Sequence, residues 1–157
     1  MQIHVRPAIE YDAAAASKVL CRSITECCFE DHRSDPKLIA AWVQNKTPET
    51  LRSWIVDESL FSAVAVKGSE VVGYAMSSRS GEVLLCYVVP EARFTGSGKA
   101  MLATIEHWAS SSGIQSLYLN STLTAHSFYT RNGFAMNGEP VFWFDMKSIS
   151  MAKRLNA

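Results

Sequence analysis

The sequence predicts an α+β fold, antiparallel strands flanked by helices, and three observations carry that prediction. From Leu60 the hydrophobic period changes from helical to strand-like. The stretches 60–66 and 70–77 are joined by Lys67-Gly68-Ser69, which reads as a hairpin turn. A third apolar stretch, 82–89, passes through a turn with two glycines into a new helical pattern. The 157 residues suffice for one domain over 1–157 with a buried core. Hydrophobic residues at 48% against charged residues at 19% exclude a disordered chain.

Taken in order, Ile3 and Val5 alternate with polar residues, and Pro7 ends the strand they predict. Residues 10–28 read as a helix, alanine-rich at first, then carrying Val19, Leu20, Ile24 and Cys27 at helical spacing. A polar break follows over 30–36. Asp35 before Pro36 reads as a cap with proline in the first turn, and Leu38, Ile39, Trp42 and Val43 share one helix face. Thr47-Pro48-Glu49 starts a third helix with Leu51, Trp54 and Ile55. After the hairpin, Arg79-Ser80-Gly81 turns the chain into the strand over 82–89. The helix beyond the glycines sets Met101, Ile105 and Trp108 on one face and ends near Ser112-Gly113. A strand over 116–120 follows, then a short helix over 124–131 stopped by Asn132-Gly133. Strands over 134–136, 141–146 and 149–155 close the chain.

Composition excludes several classes of function. Fifteen Lys and Arg balance fifteen Asp and Glu, so no global field draws the protein to nucleic acid or to an anionic membrane. The first residues form no apolar signal core, and the run 83–89 is too short to span a bilayer. A soluble, cytoplasmic protein is the expectation. Cys21, Cys27, Cys28 and Cys86 make no Cys-x-x-Cys pair, and His4, His32, His107 and His126 show no ligand spacing. No metal is expected, and the thiols read as buried and reduced.

Any anion site must therefore be local, and the stretch from Val88 to Lys99 supplies one. A strand, a Gly-x-Gly turn and a helix N-terminus put unpartnered N–H groups and the positive end of a helix dipole together. A P-loop fails twice, since Arg93 stands where its first glycine belongs and Ala100 where Ser or Thr must follow Gly98-Lys99. A dinucleotide fingerprint fails at its third glycine, which is Met101. What remains is Val88-Val89-Pro90 followed by Arg93-Phe94-Thr95-Gly96-Ser97-Gly98, with Ala125-His126-Ser127-Phe128-Tyr129 and Gly133-Phe134 downstream.

In these landmarks the chain resembles the GNAT superfamily of N-acetyltransferases, closely over 60–155 and in element order before that. The resemblance implies a mixed, mainly antiparallel sheet whose central strands splay apart for coenzyme A. It implies acetyl-coenzyme A as the donor, with its pyrophosphate on the N–H groups of Phe94, Thr95, Gly96, Ser97, Gly98 and Lys99 next to Arg93. The pantetheine arm would pair with backbone at Cys86, Tyr87 and Val88. No basic residue lies between Arg93 and Gly96, so Lys99 and backbone dipoles would carry more of the charge.

Acetyl transfer to an amine requires removal of a proton from the ammonium, stabilisation of an oxyanion and protonation of the departing thiolate. Tyr129, at the family's Phe-Tyr position, is the candidate acid; the alternative is an aromatic packed under the turn. Glu82 is the candidate base, at the head of an apolar run that would partly desolvate it. The alternative for Glu82 is an exposed carboxylate at a strand start. The resemblance implies a backbone N–H near Val88 for the oxyanion. Asn120 touches the cofactor arm or begins a turn. Glu30, Asp31 and Asp35 either favour a cationic amine or form a solvated loop, and Trp42 and Trp54 belong to the core, to a dimer surface or to an acceptor pocket. No cysteine sits in a nucleophile motif, which disfavours an acetyl-enzyme, with Cys86 the one residue to exclude. The expected activity is direct transfer of acetyl to a primary amine, of a small molecule or a protein, by an enzyme that can be a homodimer. A non-catalytic module that binds or senses coenzyme A is the rival, and retention of Gly96, Gly98 and Tyr129 argues against it.

Overall fold

The computed structural model describes residues 2–155. Strands β1 (Ile3–Pro7), β2 (Leu60–Lys67), β3 (Glu70–Ser78) and β4 (Val83–Val88) form one antiparallel sheet in that spatial order. A second sheet has β5 (Ser116–Ser121) and β6 (Ala135–Met136) on either side of β8 (Met146–Arg154), and β7 (Val141–Trp143) also pairs with β8. The helices are α1 (Ala13–Cys27), α2 (Phe29–His32), α3 (Pro36–Val43), α4 (Pro48–Ile55), α5 (Ser97–Ser111) and α6 (His126–Arg131).

Local chemistry places most boundaries. Asp35 accepts from the Lys37 N–H at 2.9 Å and Thr47 from the Thr50 N–H at 3.2 Å, each just before a proline, so α3 and α4 start where their caps stand. Residues 72–77 of β3 are buried without a break, which an antiparallel strand shows only when both its faces are covered. Both α1 and α5 pack on β3. Gly73 allows the closer approach: a Cβ there would stand 2.8 Å from Met101 Cε of α5.

Two expectations are corrected. The C-terminal strands do not divide at residues 147–148. Phe144, in the left-handed region at φ 54°, turns the chain, and Met146–Arg154 is one strand of 9 residues. The polar break after residue 28 contains the one-turn helix α2, whose Asp31 and His32 are buried. His32 Nε2 lies 2.9 Å from the Ile24 carbonyl, so tertiary partners hold a turn that has no hydrophobic period of its own.

The two sheets meet through β4 and β5, and they meet only briefly. Glu82 and Tyr118 form an isolated parallel bridge, with the Tyr118 N–H donating to the Gly81 carbonyl at 3.0 Å. Beyond that point β4 follows β3 and β5 follows β8, so the pair opens as a V. Among the described residues no helix is long and apolar enough to cross a membrane, and no cluster of His, Cys, Asp and Glu could hold a metal ion.

Candidate active site

A cleft of about 640 Å³ fills the V, lined by residues of β4, of the turn after it and of α6, while Gly133 and Phe134 lie outside the lining. At one end, the loop after β4 curls through two left-handed residues, Phe94 (φ 62°) and Gly96 (φ 88°), into α5. An aromatic residue is uncommon there, and the curl makes a concave row of amides. From residue 94 to residue 99 no backbone N–H donates to an acceptor within the described residues; the first N–H that does is that of Ala100, to the Gly96 carbonyl at 2.9 Å. Gly96 faces open space, with nothing within 4 Å of the position a Cβ would take. Gly98 differs, since a Cβ there would meet the Phe128 ring at 3.2 Å. The missing side chain lets α6 close on α5, and Gly98 also lines the cleft. The Thr95 hydroxyl is turned inward, against the Ala92 carbonyl and at 2.7 Å from Ser97 Oγ.

Three cations line the cleft: Arg93, Lys99 and Arg131. None of them is in an ion pair among the described residues, whereas Arg22 nearby is taken by Glu26 and Glu91. Arg131 was not foreseen. It comes from the last turn of α6 and supplies the basic group that the sequence lacks between Arg93 and Gly96.

Along β4 the direction of the backbone follows from the ladder. Gly73 pairs with Val88 and Ala75 with Cys86, while the Val89 N–H donates to the Val72 carbonyl at 2.9 Å. Backbone groups alternate sides along a strand, so Val88 and Cys86 turn their N–H and C=O away from β3 and into the V. Tyr87, expected to offer backbone too, turns it to β3 and lines the cleft through its side chain. Across the gap, Asn120 lines the cleft while its Oδ1 accepts from Ser150 at 3.1 Å, which leaves its NH₂ free to face inward.

Tyr129 is 6% exposed, with Phe128 and Phe134 packed edge-on at 5.1 and 5.5 Å between ring centres. Its hydroxyl has no hydrogen-bond partner in the described residues. No buried side-chain oxygen or nitrogen there is left without one, so this hydroxyl must open on the cleft. Burial, reinforced by Cys86 and Tyr87, holds the phenol protonated well above its ordinary range. Burial also pushes the Cys86 thiol up to about 12, and its only polar contact among the described residues is a weak one of 4.0 Å to the Gly98 carbonyl. A thiol in that condition is a poor nucleophile.

Glu82 is not brought to Tyr129. It stands at the bridge where β4 and β5 part, and the lining of the cleft begins one residue later, at Val83. The three acidic residues of the polar break also separate. Asp35 caps α3, Glu30 lines the cleft, and Asp31 is neither solvated nor available to a ligand. The Asp31 carboxylate accepts from the Leu123 N–H (2.7 Å), the Thr124 N–H (3.2 Å) and the Thr124 hydroxyl (2.6 Å), tying α2 to the loop that leads into α6. Trp42 and Trp54 are half-buried, Trp54 against the core and Trp42 edge-on to His32 at 6.4 Å.

A sheet parted beside a helix N-terminus with unused amides is an arrangement that other proteins share. The family described as "Acetyltransferase (GNAT) domain" matches residues 29–155. The chain belongs to the GNAT acetyltransferases. Members of the family use acetyl-coenzyme A, and the gap between β4 and β5 is where this one departs from a closed sheet. A GCN5-related N-acetyltransferase from Rhodopseudomonas palustris superposes with a TM-score of 0.87 at 18% identity, covering 99% of this chain and 97% of that one. The PaiA N-acetyltransferase of Thermoplasma acidophilum, solved with coenzyme A, gives 0.83 at 22% identity over 98% and 99% of the two chains. Ard1 of Thermoplasma volcanium gives 0.71 at 19% identity over 100% of both. At these identities the likeness is one of fold. No curated protein matches the sequence.

Proposed function

We propose that this GNAT protein transfers an acetyl group from acetyl-coenzyme A directly to a primary amine while both are bound in the cleft. One observation carries the reading: a single cleft has unused backbone amides at one end and the unpartnered Tyr129 hydroxyl further in. The residues fit the donor. The amides of residues 94–99 and the cations Arg93, Lys99 and Arg131 suit a pyrophosphate. The backbone of Cys86 and Val88, with the Asn120 amide opposite, suits an extended arm laid in the V as an added strand.

Acetyl-coenzyme A supplies, when bound, the thioester that the amine attacks. The Val88 N–H donates to the oxygen that gains charge. Tyr129 holds its proton at Oη for the departing sulfur, and its high pKa keeps that proton in place at neutral pH. Glu82, outside the lining, takes the proton of the ammonium only through water along the bridge. Glu30, in the lining of the cleft, favours an acceptor that arrives as a cation.

A thiol-release screen of acetyl-coenzyme A against amine classes tests the reading. Tyr129→Phe is expected to lower kcat by about 10²–10⁴-fold with coenzyme A affinity by calorimetry unchanged. Thiol release from no amine, with coenzyme A still bound, favours the binding module. Unchanged turnover in both Tyr129→Phe and Glu82→Gln removes the assigned roles.

A further inference from the structure

The cleft holds a second phenol beside Tyr129 that no step of the transfer uses. Tyr87 is half-buried and lines the cleft through its side chain, while its backbone belongs to the ladder, paired with Tyr74. The strand sets its direction. Cys86 turns its thiol to the Gly98 carbonyl of α5, and successive side chains of a strand point to opposite faces. Tyr87 therefore points away from α5. Besides Cys86, the side chains that bear on its phenol are Cys28, Asp31 and Trp42, none of them from α5 or α6.

Among the described residues nothing accepts a hydrogen bond from the Tyr87 hydroxyl. Trp42 approaches it through an indole N–H that can only donate, and without ordinary hydrogen-bond geometry. The Asp31 oxygens are already taken by Leu123 and Thr124. No buried side-chain oxygen there lacks a partner, so this hydroxyl, like that of Tyr129, opens on the cleft. Tyr74 shows the contrast, fully buried with its hydroxyl 2.7 Å from Ser62 Oγ. Burial first, then Cys28, Asp31 and Cys86, hold the Tyr87 phenol well above its ordinary range. It stays neutral at working pH, so it is no base. What it offers the cleft is an oxygen lone pair.

We propose that Tyr87 holds the acceptor nitrogen, its oxygen accepting an N–H of the amine that attacks the thioester; this rests on the acetyl-transfer reading. The other partners of the reaction are already served. Tyr129 faces the sulfur, the Val88 N–H serves the oxygen that gains charge, and Glu30 is the one carboxylate among the described lining residues, drawing a cation in. The nitrogen lacks a group to aim it. In the transfer the N–C bond forms as the C–S bond breaks, and Tyr129 gives its proton to the sulfur. The nitrogen, arriving as ammonium, gives up two protons through water; one restores Tyr129 and the other leaves to solvent. Tyr87 gives up none. Its bond to the N–H points the lone pair at the thioester carbon and strengthens as the nitrogen turns positive.

Two thioethers of coenzyme A test the proposal whatever the natural acceptor is. S-(2-aminoethyl)-coenzyme A carries an ammonium just beyond the sulfur, and S-propyl-coenzyme A is its neutral counterpart of equal length. Calorimetry of the full chain is expected to show the amino ligand bound about tenfold more tightly. Tyr87→Phe, which keeps the ring, is expected to bring that preference to about threefold or less, with the affinity for S-propyl-coenzyme A unaltered. A wild type that binds both alike, or a Tyr87→Phe protein that keeps the whole preference, overturns the proposal and leaves the acetyl-transfer reading standing. A wild type that binds neither removes the reading and the proposal together. Should Tyr87→Phe fail to fold, fluorine NMR of the wild type labelled with 3-fluorotyrosine decides. Two of the five tyrosines line the cleft, and Tyr129→Phe identifies the signal of one. The signal of the other must respond to the amino ligand and not to the propyl ligand, and an equal response to both overturns the proposal.

Discussion

Replacing Asp31 with alanine removes the acceptor of three hydrogen bonds at once, two from backbone and one from the Thr124 hydroxyl. Asp31 is 4% exposed, so the donors lose their partner in a site that water enters poorly. Each bond to a charged group is worth about 1.5–3 kcal/mol. Thr124 lines the cleft, however, and can turn to solvent there, so the three contributions do not all disappear. The net loss expected is about 2–4 kcal/mol, a large part of the roughly 5–15 kcal/mol that holds a domain folded. At about 2–4 °C for each kcal/mol in a domain of this size, Tm should fall by roughly 5–15 °C. Asp31→Asn keeps one acceptor oxygen and should lose about half as much. Because the tether ends at the loop entering α6, which carries Tyr129, kcat should fall further than the affinity for coenzyme A. Thermal melts with single-turnover acetyl transfer measure both effects. An Asp31→Ala protein melting within a degree or two of wild type would show that the tether carries no stability and refute the reasoning.

Three further outcomes are expected. Tyr129 is held protonated well above its ordinary range, so kcat should show no descending limb from it below about pH 10; a limb at lower pH that vanishes in Tyr129→Phe contradicts this. Gly96→Val forces a branched side chain into φ 88° at about 1–2 kcal/mol, and calorimetry should show coenzyme A binding weakened by about tenfold; unaltered affinity would remove the cradle. Burial pulls Asp12 upward, but bonds from Arg6 at 2.8 and 3.0 Å and from the Ile9 N–H at 2.8 Å outweigh it and hold its pKa below the usual carboxylate range. That stability is complete above the unfolded pKa and is lost as pH falls through the lower folded value. Asp12→Asn should therefore cost about 1–3 kcal/mol at neutral pH, with the gap from wild type closing below about pH 4; a gap constant into strong acid would refute the linkage.

Features set by neighbours in the chain were legible in the sequence. The caps at Asp35 and Thr47, the hairpin at Gly68, the strand into 94–99 and the helix ends at Gly113 and Gly133 all depend on residues a few positions apart, and the structure has them. The GNAT landmarks are local in the same way, which is why the family could be read from them. Even there, period alone misjudged the last strands, because one left-handed residue at Phe144 relocates the turn.

What the tertiary structure alone decided depends on partners far apart in sequence. Asp31 reads as one acid among three until Leu123 and Thr124 arrive to occupy it. Arg131 joins Arg93 and Lys99 only because α6 closes on α5 through Gly98. Glu82, at a promising spacing from Arg93, stands at the foot of the V and not in it, because β4 and β5 part just beyond it. Spacing along a chain determines which face a residue takes within its own element. Which cleft that face enters is decided when separate elements pack, and no single element carries that information.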